Sequence, residues 1–403
     1  MSDDIYYCIG RGACGSIWAL PIPSPTSDPL NFSDAPTLSR PQHLPLTDIL
    51  QMPHVLKRAD GDTGRSIAND KIMHRHFLTS TKTARLPFQI AHSYMIIDAT
   101  DAHYPRNFPA GREPCETYIQ ERIPPLGLTI RQTLISLYCP ERLRSSVTNS
   151  RNDEDCLVRL YCGKRRSQRD QSRQKLFFTL RNYGLCVDQM EFLHIDVNRA
   201  VEVLAQALAN AYWVAHIDAN DAEWVFGLPR AEATTRSTAA EKEQRPEEEG
   251  ETVLNTQSTD AEVFHMDTLS GKKSEAMVVW MLDFDCVRLM SMDATGVQQA
   301  VDAFYRNDPY FPRPWANEYT TEDERLWGVF RQAFLHESDG ILGTKPEVLA
   351  GRGVESEVED LAWMWVQEVE REGRRRAAGM RGEDVENVKD VEGLEVQGLE
   401  RTG

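Results

Sequence analysis

The sequence lacks three features that would each place it in a well-defined class of proteins. It has no Cys-x-x-Cys pair, and its eight cysteines are scattered, so neither a common zinc module nor a disulfide framework is expected. Its longest apolar run, residues 276–282, is much shorter than the roughly 18 residues that a membrane-spanning helix needs. No secretory signal is recognisable at its N-terminus. We therefore expect an intracellular protein, cytoplasmic or nuclear, with free thiols and no membrane partner.

Positive charge is also scarce. The chain has 45 Lys and Arg against 62 Asp and Glu, which gives a formal net charge of -17. Because nucleic acids carry the same sign of charge, we expect no nucleic-acid partner. Apolar residues make up 41% of the 403 residues, which is enough for a sizeable core. These numbers predict a globular protein.

The pattern of apolar residues divides the chain into a β-rich first part and a helical second part. Short apolar runs bounded by turn residues predict strands at residues 5–9, 16–20, 54–57, 93–98 and 116–123. Between the third and fourth of these strands, the spacing over residues 65–78 predicts a helix. Helical spacing recurs over residues 198–215, 297–306, 324–336 and 354–372, with apolar strands at residues 224–226 and 278–282. The fold class predicted is α+β.

Three stretches and the tail are poor in the residues that build a core. Residues 21–53 are rich in proline and predict a loop insertion, and residues 145–174 form a polar, partly basic stretch that also predicts an insertion. Residues 230–275 have few large apolar side chains, so we expect disorder there. Residues 377–403 form an acidic tail that is expected to be flexible.

A glycine-rich turn lies between the first two predicted strands. Gly10, Gly12 and Gly15 match the pattern G-x-G-x-x-G. In a dinucleotide-binding fold a helix would begin at the last glycine, whereas here an apolar strand follows and then prolines. A β-hairpin whose glycines let the backbone approach phosphates fits this context better. An ordinary hairpin turn remains the alternative.

Three further motifs follow this turn in chain order. The run 54–57 ends in Lys57, and the next predicted helix carries Asp70. Residues 216–223 read His-Ile-Asp-Ala-Asn-Asp-Ala-Glu, after a long helix and before an apolar strand. Residues 283–285 read Asp-Phe-Asp at the end of a buried strand. In this order, the four motifs resemble those of the protein-kinase-like superfamily.

The resemblance implies a two-lobed fold with ATP and Mg²⁺ between the lobes, a small β-rich N-lobe over residues 1–123 and a larger helical C-lobe over residues 124–376. It implies that Asp218 is the catalytic base, in the same loop as His216, and that Glu223 and Asp283 bind Mg²⁺. The nucleotide contacts that it implies involve Gly10, Gly12, Gly15, Lys57, Asp70, Glu121 and Ile123.

The chain departs from the kinase pattern at three positions. Asp70 stands where these kinases have Glu, Glu223 where they have Asn, and Asp285 where they have Gly. An ATP- and magnesium-dependent phosphotransferase is the first interpretation, and a pseudokinase-type scaffold without catalysis is the second. A third is a metal-dependent glycosyltransferase that uses Asp283 and Asp285 as its D-x-D pair. The partner is accordingly expected to be a protein or a small-molecule substrate.

The whole chain also resembles a filamentous-fungal family of unassigned function, some of whose members are described as zinc-finger proteins. The residues that carry this resemblance are 216–226, 282–286 and 303–314. Cys156 and Cys162 have no closely spaced Cys or His partners, and structural zinc needs four ligands. We therefore expect no zinc.

Overall fold

The structure is a computed structural model that describes residues 5–12, 14–21, 44–61, 66–167, 176–231, 260–307, 309–315, 321–343 and 361–397. Within these ranges the chain forms a mixed α+β structure built on two sheets, as the sequence predicts. Most of the proline-rich stretch, residues 22–43, lies outside the described residues. The Glu-rich residues 232–259 also lie outside them.

The first sheet is antiparallel, with strand order β1-β2-β3-β6-β5. Its strands are β1 (Tyr7–Arg11), β2 (Ser16–Ala19), β3 (His54–Arg58), β5 (Ser93–Ile97) and β6 (Thr117–Glu121). The register places Lys57 of β3 opposite Ile17 of β2 and Tyr118 of β6. Lys57 therefore lies on the central strand of the sheet, held by neighbours on both sides.

Two helices cover opposite faces of this sheet because successive strand residues point to opposite sides. Helix α1 (Leu46–Ile49) contributes Ile49 to a core that includes Leu56 and Ile119. Helix α2 (Ile67–Ser80) contributes Ile67 to a cluster with Tyr118 on the other face. Helix α2 begins after Ser66, whose hydroxyl oxygen accepts hydrogen bonds from backbone N–H groups of the first turn, a common N-cap.

The second sheet has strand order β10-β11-β9-β7-β8, and a short strand β4 pairs with β11 in parallel. Its strands are β4 (Gln89–Ile90), β7 (Val158–Tyr161), β8 (Tyr183–Cys186), β9 (Glu223–Gly227), β10 (Val263–Phe264) and β11 (Met277–Leu282). Strands β9 and β11 are antiparallel, with Glu223 opposite Leu282. The loop before β9 and the turn after β11 therefore meet at one end of the sheet.

The remaining helices surround the main hydrophobic core. They are α3 (Leu128–Tyr138), α4 (Glu141–Thr148), α5 (Val187–Phe192), α6 (Val197–Trp213), α7 (Ala294–Arg306), α8 (Thr321–Leu342) and α9 (Leu361–Gln397). Helix α6 is buried along most of its length, and its Trp213 and Tyr212 pack among aromatic rings of α8 and α9. The rings of Phe334 and Trp365 are 4.4 Å apart at their centroids.

Three of the stretches predicted to lie outside the core contribute to it. Residues 46–49 form α1 and bury Ile49, although they belong to the predicted proline-rich insertion. The predicted polar insertion at 145–174 contains β7, whose Val158 and Leu160 are buried between polar neighbours. The prediction of disorder is wrong for residues 260–275, where Phe264 and Met266 are buried against the sheet. Alternating or isolated apolar residues anchor these segments in the core, although the overall composition of the segments is polar.

Helix α9 extends through most of the stretch that was predicted to be a flexible tail and ends at Gln397. Within this helix, Glu372 pairs with Arg375 and Arg376 within about one turn. Among the residues that the structure describes, no helix is both long enough and apolar enough to cross a membrane.

Candidate functional site

A pocket between the first sheet and the end of the second contains most of the residues that the sequence singles out. Eleven residues were predicted to form the site, and nine of them line this pocket. They are Gly10, Gly12, Gly15, Lys57, Asp70, Glu121, Ile123, Glu223 and Asp283. His216 and Asp218 are not among the lining residues.

Lys57 lies between two carboxylates at the closed end of the pocket. Its Nζ is 2.6 Å from Asp70 Oδ2 and 2.8 Å from Asp283 Oδ1. Burial by itself lowers the pKa of Lys57, but the negative charges of Asp283, Asp70 and Asp285 outweigh it, and the pKa is raised well above its usual value. Lys57 is therefore a permanently charged ammonium.

Helix α2 is fastened to the turn that follows β11. The backbone N–H of Phe284 donates to Asp70 Oδ1 at 3.1 Å, so one carboxylate holds both Lys57 and this turn. Asn69 Nδ2 donates to the carbonyl oxygens of Asp285 and Val287 at 2.8 and 3.1 Å. The ring of His74 stacks on Phe284 with centroids 4.9 Å apart. These contacts fix the position of Asp283, whose φ is +63°.

The glycine-rich turn is a tight hairpin between β1 and β2. The N–H of Gly12 donates to the carbonyl of Gly15 at 2.9 Å, and the N–H of Gly15 donates back at 3.2 Å. Gly15 has φ +149°, and a Cβ there would lie 1.8 Å from the carbonyl oxygen of Arg58. Only glycine fits at this position, because any side chain would force β2 away from β3.

Apolar side chains also line the pocket. They are Ile9, Ile17, Val55, Ala91, Ile123, Leu157 and Leu282. Glu121 lines the pocket as well, and its carboxylate accepts two hydrogen bonds from Arg230, at 2.6 and 2.7 Å. Burial raises the pKa of Glu121, but these bonds and the charge of Arg230 outweigh that effect, and the pKa is lowered. The lining thus combines apolar and charged side chains.

Glu223, one of the two predicted metal ligands, has a cationic partner in the structure. It forms an ion pair with Arg159 of β7, and both side chains line the pocket. Burial of Arg159 lowers its pKa, but the charge of Glu223 outweighs that effect and raises it. Asp283, the other predicted ligand, is the partner of Lys57, with 28% of its side chain exposed.

Asp218, the predicted catalytic base, lies beneath the pocket with a fully buried side chain. Its carboxylate accepts hydrogen bonds from the backbone N–H groups of Asn220 and Arg288, at 3.1 and 3.0 Å. It also accepts bonds from the side chains of Arg288 and Gln299, at 3.1 and 2.9 Å. His216 lies nearby with φ +52°, and its carbonyl accepts the N–H of Met290 at 2.8 Å. In this arrangement Asp218 stabilises the loop.

Sequence reasoning missed several residues that the fold brings to the site. Arg159 lies in a stretch interpreted as an insertion, although the alternation Val158-Arg159-Leu160 is typical of a half-buried strand. Cys14 donates its thiol hydrogen to Asp285 Oδ2 at 2.7 Å, and both line the pocket. No sequence signal connects two residues so distant in the chain.

One comparison with known proteins gives a match. A family model described as "Zinc finger protein" matches residues 279–346, which include most of β11 and all of α7 and α8. This match is consistent with the resemblance to the fungal family. The matched segment contains one cysteine and one histidine, Cys286 and His336, so it does not by itself supply the four ligands of a structural zinc site. No curated protein and no solved structure matches the chain.

Proposed function

We propose that the chain is an atypical kinase-like phosphotransferase that binds ATP and Mg²⁺ in this pocket, with its two sheets belonging to two lobes. The observation that carries the proposal is the position of Lys57, which bridges Asp70 and Asp283 beside the glycine-rich turn. Kinase-like proteins use a strand lysine of this kind to hold the phosphates of ATP.

The mixed lining of the pocket suits a nucleotide, which has a planar base and charged phosphates. Ile17, Val55 and Leu282 offer apolar contact to the base, as is common in ligand pockets. Among the charged groups, the ammonium of Lys57 lies near the carboxylates of Asp70, Asp283 and Asp285. An anionic triphosphate fits beside this excess of negative charge only with a divalent cation between them.

Oxygen ligands of this kind suit Mg²⁺. Asp283, which is partly exposed, and Glu223 are the residues that would hold it. When bound, Mg²⁺ would neutralise the negative charge of the phosphates. Lys57 would then orient the phosphates, and the glycine-rich turn would cover them.

Catalysis in such a site is mainly positioning and charge neutralisation, and the base orients the hydroxyl group of the substrate. For Asp218 to act as that base, its carboxylate would have to exchange its bonds with Arg288 and Gln299 for the substrate hydroxyl. The Arg288 side chain is 55% exposed, so it has room to move away when substrate binds.

The second candidate is a pseudokinase-type scaffold that binds nucleotide without transferring phosphate. Its support is the complete burial of the Asp218 side chain among four hydrogen-bond donors. The glycosyltransferase alternative receives less support, because Asp283 contacts Lys57 while Asp285 contacts Cys14. A D-x-D metal site would need both carboxylates on one cation.

Thermal unfolding with and without ligands tests the proposal. ATP with Mg²⁺ should raise the melting temperature, since a ligand that binds only the folded state stabilises it. A sugar nucleotide with Mn²⁺ should leave it unchanged. Stabilisation by the sugar nucleotide alone would replace the kinase-like proposal with the glycosyltransferase. If ATP stabilises the protein but neither phosphoryl transfer to an acceptor nor hydrolysis of ATP is detected, the scaffold is the correct function.

A further inference from the structure

Oxygen and sulfur donors converge beside the pocket from separate parts of the chain. Asp221 belongs to the loop before β9, whereas Asp285 and Cys286 follow β11. One ligand atom from each of these three side chains lies within 4.8 Å of the other two. Asp285 is buried, and Asp221 and Cys286 are partly exposed, so a cation can reach the group from solvent.

Amide side chains hold the two donor segments in place. Asn307 Oδ1 accepts the backbone N–H of Asp221 at 2.6 Å, and Asn307 Nδ2 donates to the carbonyl of Ala219 at 3.0 Å. Asn220 Nδ2 donates to the carbonyl of Cys286 at 3.2 Å, which links one segment to the other. Asp221 has φ +60°, an uncommon conformation for a residue other than glycine. These hydrogen bonds therefore fix the backbone at the donors, as hydrogen-bonding neighbours do around the ligands of a metal.

Cys14 of the glycine-rich turn contacts this group. It is buried, and its Sγ is 2.7 Å from Asp285 Oδ2. It lies outside the set of three donors whose atoms are within 4.8 Å of one another. A cation held by those donors would therefore lie next to the glycine-rich turn.

The mixture of donors indicates which cation fits. Mg²⁺ takes oxygen ligands in octahedral geometry, and thiolates are foreign to its sites. Zn²⁺ takes thiolate and carboxylate ligands together in tetrahedral geometry, with neighbouring ligand atoms about 3.5 Å apart. Small side-chain rotations would bring atoms that now lie within 4.8 Å to that spacing.

We propose that Asp221, Asp285 and Cys286 bind a divalent transition metal of the Zn²⁺ type. This site requires no nucleotide and is distinct in its ligands from the Mg²⁺ position at Asp283 and Glu223. Because Asp285 also contacts Cys14, the metal would lie beside the glycine-rich turn as well as the end of β11. It also offsets the charge of Asp285 beside Lys57.

Metal titration of the full-length protein without nucleotide tests this inference. After treatment with a chelator, the protein should bind one Zn²⁺ per chain. Co²⁺ in its place should give the near-ultraviolet charge-transfer absorption of a cobalt–thiolate bond. Cys286→Ser should lose most of that absorption, and Cys286→Ser and Asp221→Asn should each weaken metal binding at least ten-fold. Circular dichroism of each variant confirms that it is folded.

Cys115→Ser is the matched control, because Cys115, like Cys286, is half-buried and in no disulfide but lies outside the donor group. It should bind metal as the unaltered protein does. A cobalt complex without thiolate absorption would overturn the inference. Equal loss in Cys115→Ser and Cys286→Ser would also overturn it, because binding would then be adventitious. Since no nucleotide is present, a negative result here leaves the proposed ATP site untouched.

Discussion

Lys57 Nζ lies 2.8 Å from Asp283 Oδ1, although 226 residues separate them in the chain. The same ammonium is 2.6 Å from Asp70 Oδ2, so a single cation stabilises two carboxylates, one of them fully buried. Removing one member of a buried ion pair leaves its partner charged in a medium of low polarity. The pair therefore stabilises the fold as well as the site.

Lys57→Met should lower the free energy of unfolding by about 3–5 kcal/mol and abolish ATP binding, because Asp70 and Asp283 lose their counter-ion. Lys57→Met combined with Asp70→Asn should recover part of the stability but none of the binding. Urea unfolding and ATP titration measure the two effects. Lys82→Met, at an exposed position after α2, is the control and should change stability by less than about 0.5 kcal/mol. Equal stability of Lys57→Met and Lys82→Met would show that the buried pair does not form.

Asp218→Asn should lower the free energy of unfolding by about 1.5–3 kcal/mol, because an amide cannot accept from all of the donors that surround this carboxylate. Turnover must therefore be compared at equal amounts of folded protein. Asp302→Asn, at an exposed position of α7, should change stability little. A phosphotransferase that uses Asp218 as base loses turnover in folded Asp218→Asn. Unchanged turnover there would remove Asp218 from the chemistry.

Glu223→Gln should weaken ATP binding and raise the Mg²⁺ requirement, because the proposed metal position loses one of its two carboxylate ligands. Arg159→Leu should have the opposite effect, since it leaves Glu223 charged and without its partner. Titrations of ATP against both variants, repeated over a range of Mg²⁺ concentrations, measure the change. If Glu223→Gln instead tightens ATP binding at fixed Mg²⁺, Glu223 does not hold the metal and serves only as the partner of Arg159.

Acid should destabilise the protein through His74. Burial lowers its pKa to about 4, so the folded state keeps it neutral while the unfolded state protonates it near its ordinary value of 6.5. The contribution of neutral His74 to the free energy of unfolding is fully present above pH 6.5. It is lost as the pH falls from 6.5 toward 4, and the total loss is about 3 kcal/mol. Burial lowers the pKa of His92 to about 4 as well, and it adds a loss of the same sign.

His74→Phe keeps an aromatic ring against Phe284 but cannot take up a proton, so it should lose less stability than the unaltered protein between pH 7 and pH 5. Urea unfolding at the two pH values measures the difference. The exposed His103 provides the control, and His103→Asn should keep the full pH dependence. An unchanged pH dependence in His74→Phe would exclude His74 as its source.

The sequence predicted the α+β class, the strand that carries Lys57 and most helices, because apolar periodicity and turn residues are local signals. The order of the motifs was enough to place Gly10, Lys57 and Asp283 in one pocket. The insertion predicted from the polar composition of residues 145–174 contains a buried strand, with Val158 and Leu160 in the core. Average composition over a stretch hides the alternation of apolar and polar residues that is typical of such a strand.

The partners of charged side chains could not be predicted. Arg159 beside Glu223 and Arg288 beside Asp218 depend on how distant strands and loops pack, and local sequence does not carry that information. Motif matching named both Glu223, which lines the pocket, and Asp218, which does not. It did not reveal that each already has a cationic neighbour.

Calorimetric titration of ATP and Mg²⁺ into the purified protein tests the central claim most directly. The account predicts saturable binding of one ATP per chain, absent in Lys57→Met and retained in Lys82→Met. No saturable binding to the folded protein at millimolar ATP, with or without Mg²⁺, would contradict it.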